Sequence, residues 1–225
     1  MCIVITIAEV GIWRNVLAKD ANERNQSLEY AIGQLRLADS IGARCCVNVA
    51  GTPHGPRWDG GYKENFDSNT RKLIIESIRT IIDEAKPCNT KFTIEPMPWM
   101  VPTGPDDYLR LIDEVERDSF GVHLDIVNMV TSPERYFGLN DFMEECFDKL
   151  GDKICSCHLK DIMLREEYTF QLRECACGKG ILDIPRYAQL ASSYDKDMPM
   201  IIEHLSSDEA YIASLNYVRS VLAKS

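Results

Sequence analysis

Four short β-like runs in the second half of the chain each end in a residue that binds metal or moves protons: KFTIE at Glu95, GVHLD at Asp125, ICSCH at His158 and MPMIIE at Glu203. They recur at spacings of 30, 33 and 45 residues. An apolar strand running into one carboxylate or imidazole, repeated at βα-unit spacing, is the pattern of a parallel barrel whose carboxyl-end rim builds one site from several strands. The feature therefore predicts a fold and a site together.

The rest of the chain supports a single α/β domain. Apolar β-branched runs alternate with longer segments of 3.6-residue period, the signature of βα units on a parallel sheet. Strands are expected at about 2–8, 44–50, 91–95, 120–125, 153–158 and 199–203, and helices at about 22–41, 68–86, 105–116, 139–150, 184–194 and 207–223. Start signals stand where they should: Asp67-Ser68, Gly104-Pro105-Asp106 and Ser206-Ser207-Asp208 precede helices, and Gly42 follows one as a stop. This counts six βα units where a closed barrel needs eight. The expected fold is an α/β, (β/α) TIM-type barrel over 1–225, N-terminally incomplete with six of eight units. A smaller open α/β sheet is the alternative.

Charge narrows the partners. With 35 acidic against 25 basic residues the formal charge is −10, and no basic run offers a surface for a nucleic-acid backbone. No apolar stretch approaches the roughly 18–20 residues that span a bilayer, and MCIVITIAEV lacks a basic, cleavable leader pattern. The expectation is a cytoplasmic protein with no nucleic-acid or membrane partner, with homo-oligomerisation left open. The nine cysteines include the pairs Cys45-Cys46, Cys155-x-Cys157 and Cys175-x-Cys177. None has the C-x₂-C geometry of a structural zinc site, so they are read as reduced thiols acting as small apolar residues. A redox or metal role for Cys175 and Cys177 is the alternative.

Taken singly, an acid closing a strand is often a helix cap or a solvated rim residue. Four in register form a mixed O/N donor set suited to one divalent cation, Mn²⁺, Mg²⁺, Co²⁺ or Zn²⁺. His123 and Lys160 lie two residues from Asp125 and His158 on the same strand faces. His54, Asn128 and Arg165 lie on loops beyond strand ends, and Trp13 offers a ring for a sugar face. These six, His54, His123, Asn128, Lys160, Arg165 and Trp13, are the candidate substrate-binding residues, although His123 also reads as an interior histidine and Trp13 as a loop anchor. Gly178-Lys179-Gly180 reads either as a turn or as a substrate-side loop.

With TIEPMPW, FGVHLDIVN, SCHLKDIML, GKGILDI and IIEHL in order, the chain resembles the xylose isomerase-like barrel superfamily of sugar phosphate isomerases and epimerases over about residues 1–222. The resemblance implies that Glu95, Asp125, His158 and Glu203 hold one divalent metal on strands five to eight of an eight-stranded barrel. CIVITIA then corresponds to strand three. It also implies a sugar or polyol substrate, with Glu95 and Glu203 as catalytic acid and base beside a metal-bound carbonyl. An inosose-type dehydratase on the same scaffold, or a non-catalytic or truncated binding domain, are the alternatives. Two departures stand out. Asn128 follows Asp125 where several relatives carry histidine, and the four histidines are too few for the three-zinc cluster of the related apurinic-site endonucleases.

Overall fold

The computed structural model describes residues 5–224 and divides into two compact units. The first comprises Met1–Leu124 with Lys153–Ser156, the second Asp125–Asp152 with Cys157–Ser225. Strand order in the main sheet is β1-β2-β3-β4-β5-β8. Its fifth strand starts in one unit and finishes in the other.

In the first unit β1 (Glu9–Gly11), β2 (Cys45–Val49), β3 (Lys91–Glu95) and β4 (Phe120–Leu124) pair in parallel, with registers such as Val10↔Cys46, Cys46↔Phe92 and Phe92↔Phe120. β2 and β4 are buried along their whole length, which is why they are mostly apolar and do not alternate apolar with polar residues. Each crossover is a helix: α1 (Ala21–Ile41), α2 (Ser68–Ala85) and α3 (Pro105–Val115). α1 buries Ser27, Ala31, Leu35 and Ala38, a stripe at spacings of four, four and three with small side chains that allow close approach. Asp20 and Asp67 cap α1 and α2 by accepting the N–H groups of Glu23 and Thr70. Gly42 ends α1 in the left-handed region, as a glycine past the last turn does. The fully buried Tyr108 of α3 donates its hydroxyl to the Ile94 carbonyl of β3 at 2.5 Å.

The expected strand at 2–8 is corrected. Residues 2–4 lie outside the described residues, residues 5–8 carry no strand, and the strand proper is Glu9–Gly11. The reason is pairing: β2 supplies the ladder that defines β1, and it meets this segment late, with Arg44 N–H bonded to the Ile7 carbonyl and Ile12 N–H to that of Val47. The other strands and long helices fall within two residues of expectation.

In the second unit β5 (Ile154–Leu159) continues through Cys157–Leu159, which pair in parallel with β8 (Met200–Ile202). Helices α4 (Ile126–Met129), α5 (Pro133–Phe137), α6 (Leu139–Leu150), α7 (Ile184–Tyr194) and α8 (Asp208–Leu222) complete it. α6 buries Phe142, Met143, Cys146, Phe147 and Leu150, and Phe147 packs edge-on against Tyr187 of α7. Residues 161–175 form an antiparallel hairpin of β6 (Asp161–Leu164) and β7 (Leu172–Cys175).

The cysteines behave as small apolar residues: Cys45, Cys46, Cys146, Cys155, Cys157 and Cys177 are buried, with no disulfide among the described residues. Burial pushes the Cys45 thiol up to about 12, so it stays protonated.

Candidate metal centre

The second unit gathers three of the four strand-end residues. β4 hands the chain to Asp125, whose extended backbone makes it the N-cap of α4, and its Oδ1 accepts the Asn128 N–H at 3.0 Å. That bond fixes one carboxylate oxygen and turns Oδ2 toward β5. His158, the penultimate residue of β5, places Nδ1 3.7 Å from Asp125 Oδ2 and 2.9 Å from Oε2 of Glu203, the residue after β8. Ligand atoms of Asp125, His158 and Glu203 all lie within 4.8 Å of one another. Asp125 is fully buried, and the Glu203 side chain is 13% exposed.

Lys160 stands at the centre of this group, 2% exposed. Its ammonium makes an ion pair with Asp125 Oδ2 at 2.7 Å and donates to Glu203 Oε1 at 2.5 Å. Burial pushes the Asp125 carboxyl up, but Lys160 and then His158 outweigh it and hold the group well below the usual carboxylate range. The same balance raises Lys160: burial alone would lower it, and Asp125 and Glu203 together overcome that. Both groups are therefore charged at neutral pH.

A second layer lies outward. Glu174 of β7 accepts from His204 Nδ1 at 2.9 Å and stands 3.5 Å from Lys160 Nζ. His204 Nε2 is 3.4 Å from Glu203 Oε2. His204 has φ of 56°, a left-handed backbone that costs a non-glycine residue energy and here swings its ring toward Glu174. The bond to Glu174 raises the His204 imidazole, and the imidazole lowers Glu174.

The other predicted residues fall in both units. Glu95 ends β3 in the first unit with its side chain buried. His123, also in that unit, is fully buried, with Nδ1 2.7 Å from Ser156 Oγ and 3.4 Å from Glu9 Oε2, and Ser156 Oγ in turn meets Cys45 Sγ at 3.1 Å. His54 Nε2 is 3.2 Å from Thr70 Oγ1. Trp13, half-exposed at φ 51°, lays its ring over Gly11, where any Cβ would collide with the indole. Asn128 is buried beside Asp125, whereas Arg165 is exposed and pairs with Glu167 on the β6–β7 hairpin.

The Gly178–Gly180 loop has an internal anion. The buried Asp161 carboxylate accepts N–H groups from Ile162, Gly178, Gly180 and Leu182 at 2.8–3.0 Å. These backbone donors are thus taken up by a side chain of their own unit. Sequence reading passed over Asp161, Glu174, His204 and Glu9. Glu174 and His204 meet through the hairpin that carries Glu174, which no local period announces; the E-H dipeptide of IIEHL was the available signal for His204.

Two carboxylates and an imidazole nitrogen are hard to borderline donors, and the three residues fit a divalent cation. The sequence matches the family described as Xylose isomerase-like TIM barrel over residues 2–221, and the chain belongs to that family. Its fold is that α/β TIM-type fold, with the six parallel βα units described above. No curated protein matches by sequence.

Solved structures agree on the fold. A xylose isomerase-like TIM barrel protein from Mycobacterium smegmatis, in complex with magnesium, shares 21% identity at a TM-score of 0.72, covering 98% of this chain and 74% of that one. The 3-keto-D-glucoside 4-epimerase YcjR from E. coli, in its apo form, shares 17% at 0.68, covering 96% and 80%. The probable 3-DHS dehydratase AsbF from Bacillus anthracis, involved in petrobactin synthesis, shares 16% at 0.70, covering 96% and 76%. Among the described residues no helix is long and apolar enough to cross a membrane.

Proposed function

We propose that the chain is a divalent-metal-dependent isomerase or epimerase acting on a sugar or polyol. The observation that carries this is the convergence of Asp125, His158 and Glu203, with ligand atoms within 4.8 Å of one another. Glu95 is proposed as the fourth ligand from its strand-end motif, TIEP, and its buried carboxylate at the end of β3. A bound Mn²⁺, Mg²⁺, Co²⁺ or Zn²⁺ would supply Lewis-acid polarisation of a substrate carbonyl. The protein's part is proton transfer. Glu203 and Glu95 are the proposed acid and base at the carbon next to that carbonyl, and His158 Nδ1 steadies Glu203 Oε2. His54, His123, Asn128, Arg165 and Trp13 are proposed to contact substrate, and Lys160 to act through Asp125 and Glu203.

Magnesium in the M. smegmatis relative and the epimerase activity named for YcjR support this reading. The test is NMR in D₂O with a panel of ketoses and keto-glycosides in the presence of Mn²⁺. Exchange of a proton for deuterium next to a carbonyl, lost in Glu203→Gln, is the expected result. The resemblance to AsbF favours a second reading, a dehydratase, which the same spectra would show as elimination. A protein without measurable Mn²⁺ affinity overturns the metal-dependent reading.

A further inference from the structure

We infer that Lys160 is a built-in competitor of the divalent cation, a resident positive charge that sets how weakly the site holds its metal. The inference rests on the metal-site reading above. Its ground is which atoms the ammonium uses. Asp125 Oδ1 is committed to capping α4 through the Asn128 N–H, which leaves Oδ2 as that residue's oxygen for a cation, and Oδ2 is the atom Lys160 meets at 2.7 Å. On Glu203 the ammonium takes Oε1 at 2.5 Å while His158 faces Oε2 at 2.9 Å. One buried +1 charge thus engages both proposed carboxylate ligands of the second unit.

Two consequences of opposite sign follow. For a metal ion, Lys160 is a like charge beside its ligands, and Coulomb repulsion in a largely dry pocket weakens binding. For the metal-free protein, Lys160 is the charge that allows Asp125 to be buried ionised, and removing one partner of a buried pair leaves the other uncompensated. Glu174, 3.5 Å from Nζ, and His204 face the ammonium from β7 and from the segment after β8. Glu174 is half-exposed.

Lys160→Met, close to isosteric and neutral, separates the alternatives. Titration calorimetry with Mn²⁺ should show binding tightened by about tenfold or more relative to wild type, while the metal-free variant melts at a lower temperature. Tighter metal with a weaker apo fold is the signature of competition. If Lys160 instead arranges the ligands for the ion, binding weakens, and if it is a passive core residue, binding is unchanged; either result overturns the inference. Lys160→Gln, which keeps a hydrogen-bond donor without charge, is the second variant and should also bind Mn²⁺ more tightly. A neutral variant recovered folded only with Mn²⁺ supports the proposal; if neither folds at any Mn²⁺ concentration, Lys160 is a structural requirement and the proposal fails. Wild type that binds Mn²⁺, with binding lost in Asp125→Asn but unchanged in Lys160→Met, removes this inference alone. Wild type that binds none removes the metal reading beneath it.

Discussion

The Asp161 carboxylate accepts the backbone N–H of Gly180 at 2.9 Å, and the two residues are fitted so closely that a Cβ on Gly180 would lie 2.3 Å from Asp161 Oδ1 and 2.2 Å from the Ile162 carbonyl oxygen. Asp161 directly follows Lys160, so the turn that secures one also fixes where the other leaves β5.

Asp161→Asn is therefore expected to destabilise the protein by about 2–3 kcal/mol. An amide presents one acceptor oxygen and points its NH₂ at backbone donors, so charge-assisted bonds are lost and some N–H groups are left without an acceptor. Gly180→Ala should cost a similar amount by collision. Because the two act on one turn, the double variant should fall well short of the sum, which urea denaturation of all three variants will measure.

Asp125→Asn keeps the oxygen that caps α4 but removes one of the carboxylates paired with the buried Lys160, so the variant should keep its secondary structure and melt at a lower temperature, while Mn²⁺ affinity falls by at least about 100-fold, the upper range seen for residues that merely support metal ligands. Calorimetry checks the affinity, and circular dichroism the secondary structure and melting temperature. Unchanged affinity would remove Asp125 from the site.

The strand-end residues were legible in the sequence because a parallel strand and its first loop residue are adjacent in the chain: TIEP, HLDI and IIEH each announce both the strand and a candidate ligand. The long helices were legible for the same reason, from caps such as Asp67 and stops such as Gly42. What stayed hidden is what pairing decides. β1 moved to Glu9–Gly11 because β2 sets the register, and the β6–β7 hairpin carries no alternating apolar pattern because much of β7 and the connecting segment is exposed. Lys160 was recognised as facing the site, but its partners are 35 residues before it and 43 after it, and no spacing reveals that pairing.

Glu114 gives a pH prediction away from the candidate metal centre. Its carboxylate bonds Arg71 Nε at 2.5 Å and Arg110 Nε at 3.0 Å. Desolvation raises it and is the largest single influence, but Arg71 and then Arg110 together outweigh that and place it below its usual 4.5. A lowered folded-state pKa means that the stabilisation is present above the ordinary carboxylate range and disappears as pH falls through the lowered value. Wild type should thus exceed Glu114→Gln in stability at pH 7, and the two should converge as pH drops below about 4.5. Melting temperatures from pH 7 to 3 test this, and a gap that widens on acidification would contradict it.

Tyr187 of α7 joins the core to the site through its hydroxyl. Its fully buried hydroxyl donates to the His158 carbonyl oxygen at 3.1 Å, and burial keeps the phenol protonated as the donor this bond requires. β5 bears His158 on this stretch, so helix packing and ligand placement share one contact. Tyr187→Phe keeps the ring against Phe147 and removes the donor. The expected stability loss is about 1 kcal/mol, the usual net worth of a buried hydrogen bond. If the bond also aims the imidazole, Mn²⁺ affinity should fall by about tenfold in the same variant, the lower range for groups that orient a metal ligand. A role confined to packing would move the melting temperature alone, so measuring both on one variant distinguishes a core residue from one that positions His158.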